Sequence, residues 1–140
     1  MLFEVFVGGL LIRGDKVLLK KSEGLKYTFP GKMLEQDETL ETALMSGIKR
    51  DTGWSCAVGS LSYVIETFAR DDRHTLQFYF TVTVPNDTIS KIWSNGVTFV
   101  PIEELGSFDV HPPVLVGKFI VDQRRGSRNS AAYLVSSSGD

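Results

Sequence analysis

Acidic and basic side chains crowd the stretch from Phe29 to Trp54, FPGKMLEQDETLETALMSGIKRDTGW. Glu35, Asp37, Glu38 and Glu41 lie towards its start, and Lys49, Arg50 and Asp51 lie towards its end. That is more charge than a packing unit needs, so the segment is a candidate site. Arg50 carries a planar fork that suits phosphate oxygens, although a cation near a helix C-terminus also complements the dipole there. Further along, Glu66 sits near the end of an expected strand. It could supply a carboxylate to a metal or ligand, or simply face outward from an edge strand.

These groups must be positioned by a helix. Leu40, Leu44 and Ile48 recur at i, i+4 and i+8, which makes one apolar stripe. Asp37 is the expected N-cap, with Glu38 and Glu41 near the positive end of the dipole. Lys49 and Arg50 fall in the last turn, and Gly53 is placed to end the helix in a left-handed conformation. Ahead of it, Phe29-Pro30-Gly31 makes a turn.

The same stretch resembles the Nudix box. That pattern is glycine, five residues, glutamate, seven residues, then Arg-Glu-apolar-x-Glu-Glu-x-Gly-apolar. Aligned on Gly53 and Trp54, its first glycine falls on Lys32, one residue after Gly31, and its isolated glutamate falls on Glu38. The heart of the box reads Ser46, Gly47, Ile48, Lys49, Arg50, Asp51 in place of arginine, glutamate, apolar, x, glutamate, glutamate. In an active member the three helix glutamates share one face and hold Mg2+ or Mn2+, hard cations that prepare a pyrophosphate for attack by water. Here that face presents Gly47, Arg50 and Asp51. Glycine offers no ligand and arginine puts a permanent charge where the cation would sit, a repulsion of ~1–4 kcal/mol a few ångströms apart.

The resemblance implies an α+β fold, the Nudix-type α/β/α sandwich with a mixed central sheet. It spans most of Leu2 to Val121, so the expected organisation is a domain over residues 1–121 and a polar tail over 122–140. Phe29, Gly31, Lys32, Arg50 and Glu66 are candidate ligand-binding residues, and Glu38 and Asp51, which fall on glutamates of the box, are the candidate catalytic and metal-holding groups. The leading expectation is a weak or inactive homologue binding a nucleotide-like or otherwise phosphorylated small molecule, with no cofactor. A second is an active pyrophosphohydrolase using Mg2+ or Mn2+ on Glu38 and Asp51, with Glu66 or Glu35 as a further ligand, acting on a nucleoside diphosphate linked to another moiety. A third is a partner-binding module with a vestigial pocket. Gly47 bears on the choice, because glycine inside a helix costs ~1 kcal/mol against alanine. Either metal binding is no longer demanded there, or backbone must approach closely.

The rest of the chain is consistent with that frame. At 140 residues it is long enough for one domain with a respectable core. A hydrophobic content of 42% and a net charge of −2 give no general surface for nucleic acid or membrane. No apolar run approaches the ~20 residues that span a bilayer, and the first residues lack a signal-peptide plan. The single Cys56 excludes an intrachain disulfide, and the expected location is cytoplasmic.

Leu2 to Ile12 reads as a strand whose Gly8-Gly9 marks a bulge or a close approach. Gly14-Asp15 then makes a hairpin turn of the II′ kind into Val17 to Lys20. Ser60 to Phe68 and Thr75 to Val84 are a second strand pair around the polar loop Ala69 to His74. Pro85-Asn86-Asp87 closes that pair, and Thr98 to Val100 is a short strand before a helical turn at Pro101 to Leu105. A last helix is expected over 112–121. Tyr27, Phe29, Phe78 and Phe80 could stack a base but read first as core, Phe78 and Phe80 on one sheet face and Tyr79 on the other. His74 and His111 show no metal spacing, although His111-Pro112-Pro113 resembles a family stretch before the last helix and so lines the expected pocket. Arg124, Arg125 and Arg128 lie in the tail, where Ala131 to Val135 is apolar enough to dock on the domain or on a second subunit, leaving a homodimer open.

Overall fold

Alternating side chains on the first two strands decide the layering. In the computed structural model, which describes residues 2–69, 71–85, 96–126 and 130–137, strands β1 (Leu2–Arg13) and β2 (Lys16–Lys21) form the expected hairpin. Gly14 takes φ 62°, as the first central position of a II′ turn requires. Leu10, Val17 and Leu19 enter one core, whereas Leu11 and Leu18 enter another on the opposite face. Arg70, Asn86, Asp87 and Arg128 lie outside the described residues.

Two short strands, β3 (Lys26–Thr28) and β4 (Gly31–Met33), lead to helix α1 (Leu40–Thr52). Then come the long β5 (Ala57–Phe68) and β6 (Arg73–Thr83), β7 (Val97–Pro101) and a 3-10 turn at Ile102–Ser107. Strand β8 (Asp109–His111), helix α2 (Pro113–Arg125) and β9 (Ala132–Ser137) complete the order. The sheet is mixed. Its path is β8-β3-β2-β1-β6-β5-β9, with β4 on β1 and β7 on β2. β1 runs parallel to β6 and antiparallel to β4, while β5 is antiparallel to β6 and parallel to β9.

Helix α1 covers one face through Ala43, Leu44 and Ile48, packed with Val7, Leu11, Leu18 and Val82. Helix α2 covers the other through Leu115, Val116 and Phe119, packed with Tyr63, Ile65 and Tyr79. The result is the α/β/α sandwich that the resemblance implied. Tyr79 points into the α2 core while Phe78 and Phe80 pack against the α1 core, as the two-residue period predicted. Among the described residues no helix is long and apolar enough to cross a membrane.

Several expectations are corrected. The N-cap of α1 is Thr39, not Asp37: Thr39 is extended, and its hydroxyl accepts from the Thr42 N–H at 3.0 Å in a reciprocal capping box. Asp37 cannot cap, because its φ of 69° places it in the turn before the helix. The other end is as expected, with Gly53 at φ 80° donating to the Lys49 carbonyl at 2.7 Å. Gly8-Gly9 is a close approach, since β1 pairs with β6 in unbroken register and a Cβ on Gly8 would lie 2.5 Å from the Tyr79 ring.

The division into a 1–121 domain and a 122–140 tail also fails. Helix α2 continues through Arg125, because Asp122 is buried and accepts from Tyr63 Oη at 2.6 Å and Lys118 Nζ at 2.9 Å. Beyond it, the apolar run at Ala132 docks on the domain as β9, pairing with β5 from Tyr63–Ala132 to Phe68–Ser137. Leu134 and Ala132 pack against the α2 core.

Candidate functional site

Strand β4 and helix α1 meet over a contact with no side chain between them. A Cβ on Gly47 would lie 2.9 Å from the carbonyl carbon of Gly31 and 3.1 Å from both its oxygen and Lys32 Cγ. Gly31 is itself pressed on β1, where a Cβ would overlap the Val7 carbonyl oxygen at 2.0 Å. Glycine at both positions lets three backbone segments stack. The face of α1 that the box assigns to a glutamate is thereby closed by main chain.

One turn further along α1, the Arg50 guanidinium spans two oxygens. Nη2 donates to the Gly31 carbonyl at 2.8 Å, and Nε donates to Asp51 Oδ1 at 3.1 Å. Lys20 Nζ donates to that same Oδ1 at 2.9 Å. Asp51 is buried, its side chain 4% exposed, whereas Arg50 is 56% and Lys20 35% exposed. Lys20 reaches α1 because it lies two residues after Leu18, on the strand face that α1 covers.

The second retained acid is held in the same way. Lys32 Nζ donates to both Glu38 oxygens at 3.0 Å, and the Glu35 N–H donates to Oε1 at 2.9 Å. The backbone hydrogen bond from Glu35, then that from Lys32, hold the Glu38 carboxyl below the usual glutamate range.

A divalent metal does not fit this arrangement. Mg2+ wants near-octahedral oxygen at about 2.0–2.1 Å, and the Gly31 oxygen, Asp51 Oδ1 and both Glu38 oxygens already accept from side-chain cations. Among the described residues no three His, Cys, Asp or Glu side chains are grouped so as to hold an ion.

Of the candidate residues, the fold brings together Gly31, Lys32, Glu38, Arg50 and Asp51. Phe29 is elsewhere: its ring is 1% exposed in the α2 core, edge-on to Tyr79 and Phe119, so the side chain is a packing residue. Glu66 belongs to another cluster, accepting from Tyr133 Oη and lying 2.6 Å from His74 Nε2. Those two contacts, Tyr133 first, lower its carboxyl. Lys20 was missed altogether. Its signal was present in the alternation of β2, which puts Lys20 beside Leu18, and in the need of a buried carboxylate for a partner.

On the α2 side of the sheet, a cleft of about 340 Å³ opens beside β1, β6 and the β8–α2 connection. Phe6, Met33, Gln77, Tyr79, His111 and Pro112 line it, so the expectation for His111 and Pro112 holds as geometry. Tyr79 Oη donates to Gln77 Oε1 at 2.6 Å, and burial pushes the phenol well above its ordinary pKa. Met33 in the cleft and Gly31 beneath Arg50 are the two ends of β4.

The sequence matches no protein-family model and none of the curated proteins. Solved structures match throughout. A Nudix hydrolase from Nitrosomonas europaea superposes with a TM-score of 0.69 at 25% identity, covering 89% of this chain and 90% of that one. A UDP-X diphosphatase gives 0.74 at 17% identity over 96% of this chain and 68% of that one. An ADP-ribose pyrophosphatase from Streptococcus suis gives 0.67 at 12% identity over 93% and 98%. The chain has the Nudix hydrolase fold.

Proposed function

We propose that this Nudix-fold domain binds a nucleotide-like, phosphorylated ligand without efficient hydrolysis. The observation that carries the reading is the Arg50 guanidinium bridging the Gly31 carbonyl and Asp51, where the resemblance expects a metal. Similar structures include enzymes named for a UDP derivative and for ADP-ribose, which supports a nucleoside diphosphate derivative as the ligand class. The cleft lined by Phe6, Gln77, His111 and Pro112 offers an aromatic face and hydrogen-bonding edges suited to its nucleoside end. A lone, buried thiol at Cys56 is compatible with a reducing cytoplasm.

The test is paired. ADP-ribose and a UDP-sugar are first assayed for hydrolysis with Mg2+ and Mn2+, then titrated calorimetrically in EDTA. We expect binding in EDTA and turnover at least a thousandfold below the ~10 s⁻¹ typical of enzymes. Ordinary metal-dependent turnover that Asp51→Ala abolishes would replace this reading with the active hydrolase. Such an enzyme would first have to displace Lys32 from Glu38 and Arg50 from Asp51.

A further inference from the structure

Two cations converge on one carboxylate oxygen at the α1 surface, Lys20 Nζ at 2.9 Å and Arg50 Nε at 3.1 Å from Asp51 Oδ1. Among the described residues Arg50 Nη1 has no partner, and Lys20 Nζ donates only to Asp51. The neighbouring basic residue differs. Lys32 is 13% exposed, and it faces Glu38 at 3.0 Å with Glu35 at 3.7 Å. Two carboxylates therefore face one cation around Lys32, whereas two cations share one carboxylate oxygen at Asp51. Lys49, the other cation of the last turn, is turned to Ser55 Oγ at 3.3 Å.

The excess charge is fixed in place. Arg50 is held at two points, on a backbone carbonyl and on a buried acid, so its free edge projects in a set direction. A fork that is already ordered loses little entropy when an oxyanion arrives. Two donors of this kind suit a phosphoryl group, which accepts several hydrogen bonds and carries at least one full negative charge. In metal-dependent phosphate sites, Mg2+ and Arg or Lys share the work of neutralising that charge. Here side-chain cations would supply all of it.

We propose that Lys20 and Arg50 form an oxyanion subsite that binds the diphosphate of the ligand directly, with no metal bridge. This rests on the reading of the domain as a binder of phosphorylated ligands and adds the group that recognises the phosphates. Lys20 belongs to the subsite on equal terms with Arg50. Gly31, which accepts from Arg50, and Met33, which lines the cleft, lie two residues apart on β4.

Calorimetric titration of inorganic pyrophosphate into the EDTA-treated full chain tests the subsite. The expected result is saturable binding that Arg50→Gln weakens at least tenfold and Lys20→Gln weakens comparably. Arg50→Gln removes the charge and leaves an amide N–H at the level of Arg50 Nε, facing Asp51, and thermal melts establish that each variant is folded. If Lys20→Gln unfolds, Lys20→Arg should rescue the fold and retain binding. Pyrophosphate binding that needs added Mg2+, or wild-type affinity in folded Arg50→Gln, would overturn the subsite. The outcome is separable from that of the parent reading. ADP-ribose binding in EDTA that is indifferent to both substitutions would leave the parent reading intact and remove the subsite. Vigorous hydrolysis would remove the parent reading, while Arg50-dependent pyrophosphate binding in EDTA would still stand.

Discussion

Gly47 is the residue at which two opposing effects can be weighed. Helix propensity alone says that Gly47→Ala should stabilise α1 by up to ~1 kcal/mol. Contact says otherwise, because the added Cβ would meet the Gly31 backbone at 2.9 Å, and that backbone is clamped against Val7. Forced overpacking costs typically 1–3 kcal/mol, so the steric effect should win. Urea unfolding of Gly47→Ala is expected to show a net loss of about 1–2 kcal/mol with an unchanged m-value. A gain in stability would mean that β4 can retreat from α1, and the closed face described above would be open to ligands after all. The sequence alone had left two explanations for this glycine, and the contact with Gly31 supplies the second.

Elements were legible in proportion to their length. The stripe of Leu40, Leu44 and Ile48 located α1, and all but Leu40 are fully buried in the structure. The two-residue period in β6 located the faces of Phe78, Tyr79 and Phe80. Strands β3, β4 and β8 have three residues each, too few for any period to show, and were not anticipated as strands. The site was half legible for a related reason. Gly31, Lys32, Glu38, Arg50 and Asp51 were found because a motif orders them along the chain, whereas Lys20 comes from β2 and joins them only through the fold. Strand β9 was misread as tail because its polar surroundings outweighed a short apolar run; its pairing with β5 is a tertiary fact. Removing residues 127–140 should therefore cost more than a tail would. It strips Leu134 and Ala132 from the α2 core and bares the edge of β5. With ~1.5–3 kcal/mol for a fully buried leucine as the yardstick, we expect the truncated chain to lose at least ~2 kcal/mol of unfolding free energy, read as a lowered urea midpoint. An unchanged midpoint would return β9 to the status of an appendage.

For the molecule as a whole, the substitutions in the box change what the domain should respond to. A Nudix fold with its glutamates intact would be stabilised by Mg2+, since any ligand specific to the native state raises its melting temperature. Here Arg50, Lys20 and Lys32 already hold the Gly31 oxygen, Asp51 Oδ1 and both Glu38 oxygens. Millimolar MgCl2 is accordingly expected to leave the melting temperature unmoved beyond the shift given by NaCl of equal ionic strength, as read by scanning fluorimetry. A specific rise with Mg2+ or Mn2+ would point to a metal site the geometry does not provide.

The central place of β1 carries a consequence for how the chain comes together. Its long parallel partner is β6, with Leu2 opposite Arg73, and the edge strand β9 joins β5 with Tyr63 opposite Ala132. β1 thus waits for β6, from the middle of this sequence, before its main ladder can form, and the sheet is completed only once β9 has been made. High contact order of this kind makes folding slow relative to helical domains of the same size. During that wait the apolar edge of β1 is the segment most in need of protection, so chaperone demand should track β1 rather than the more conspicuous helices.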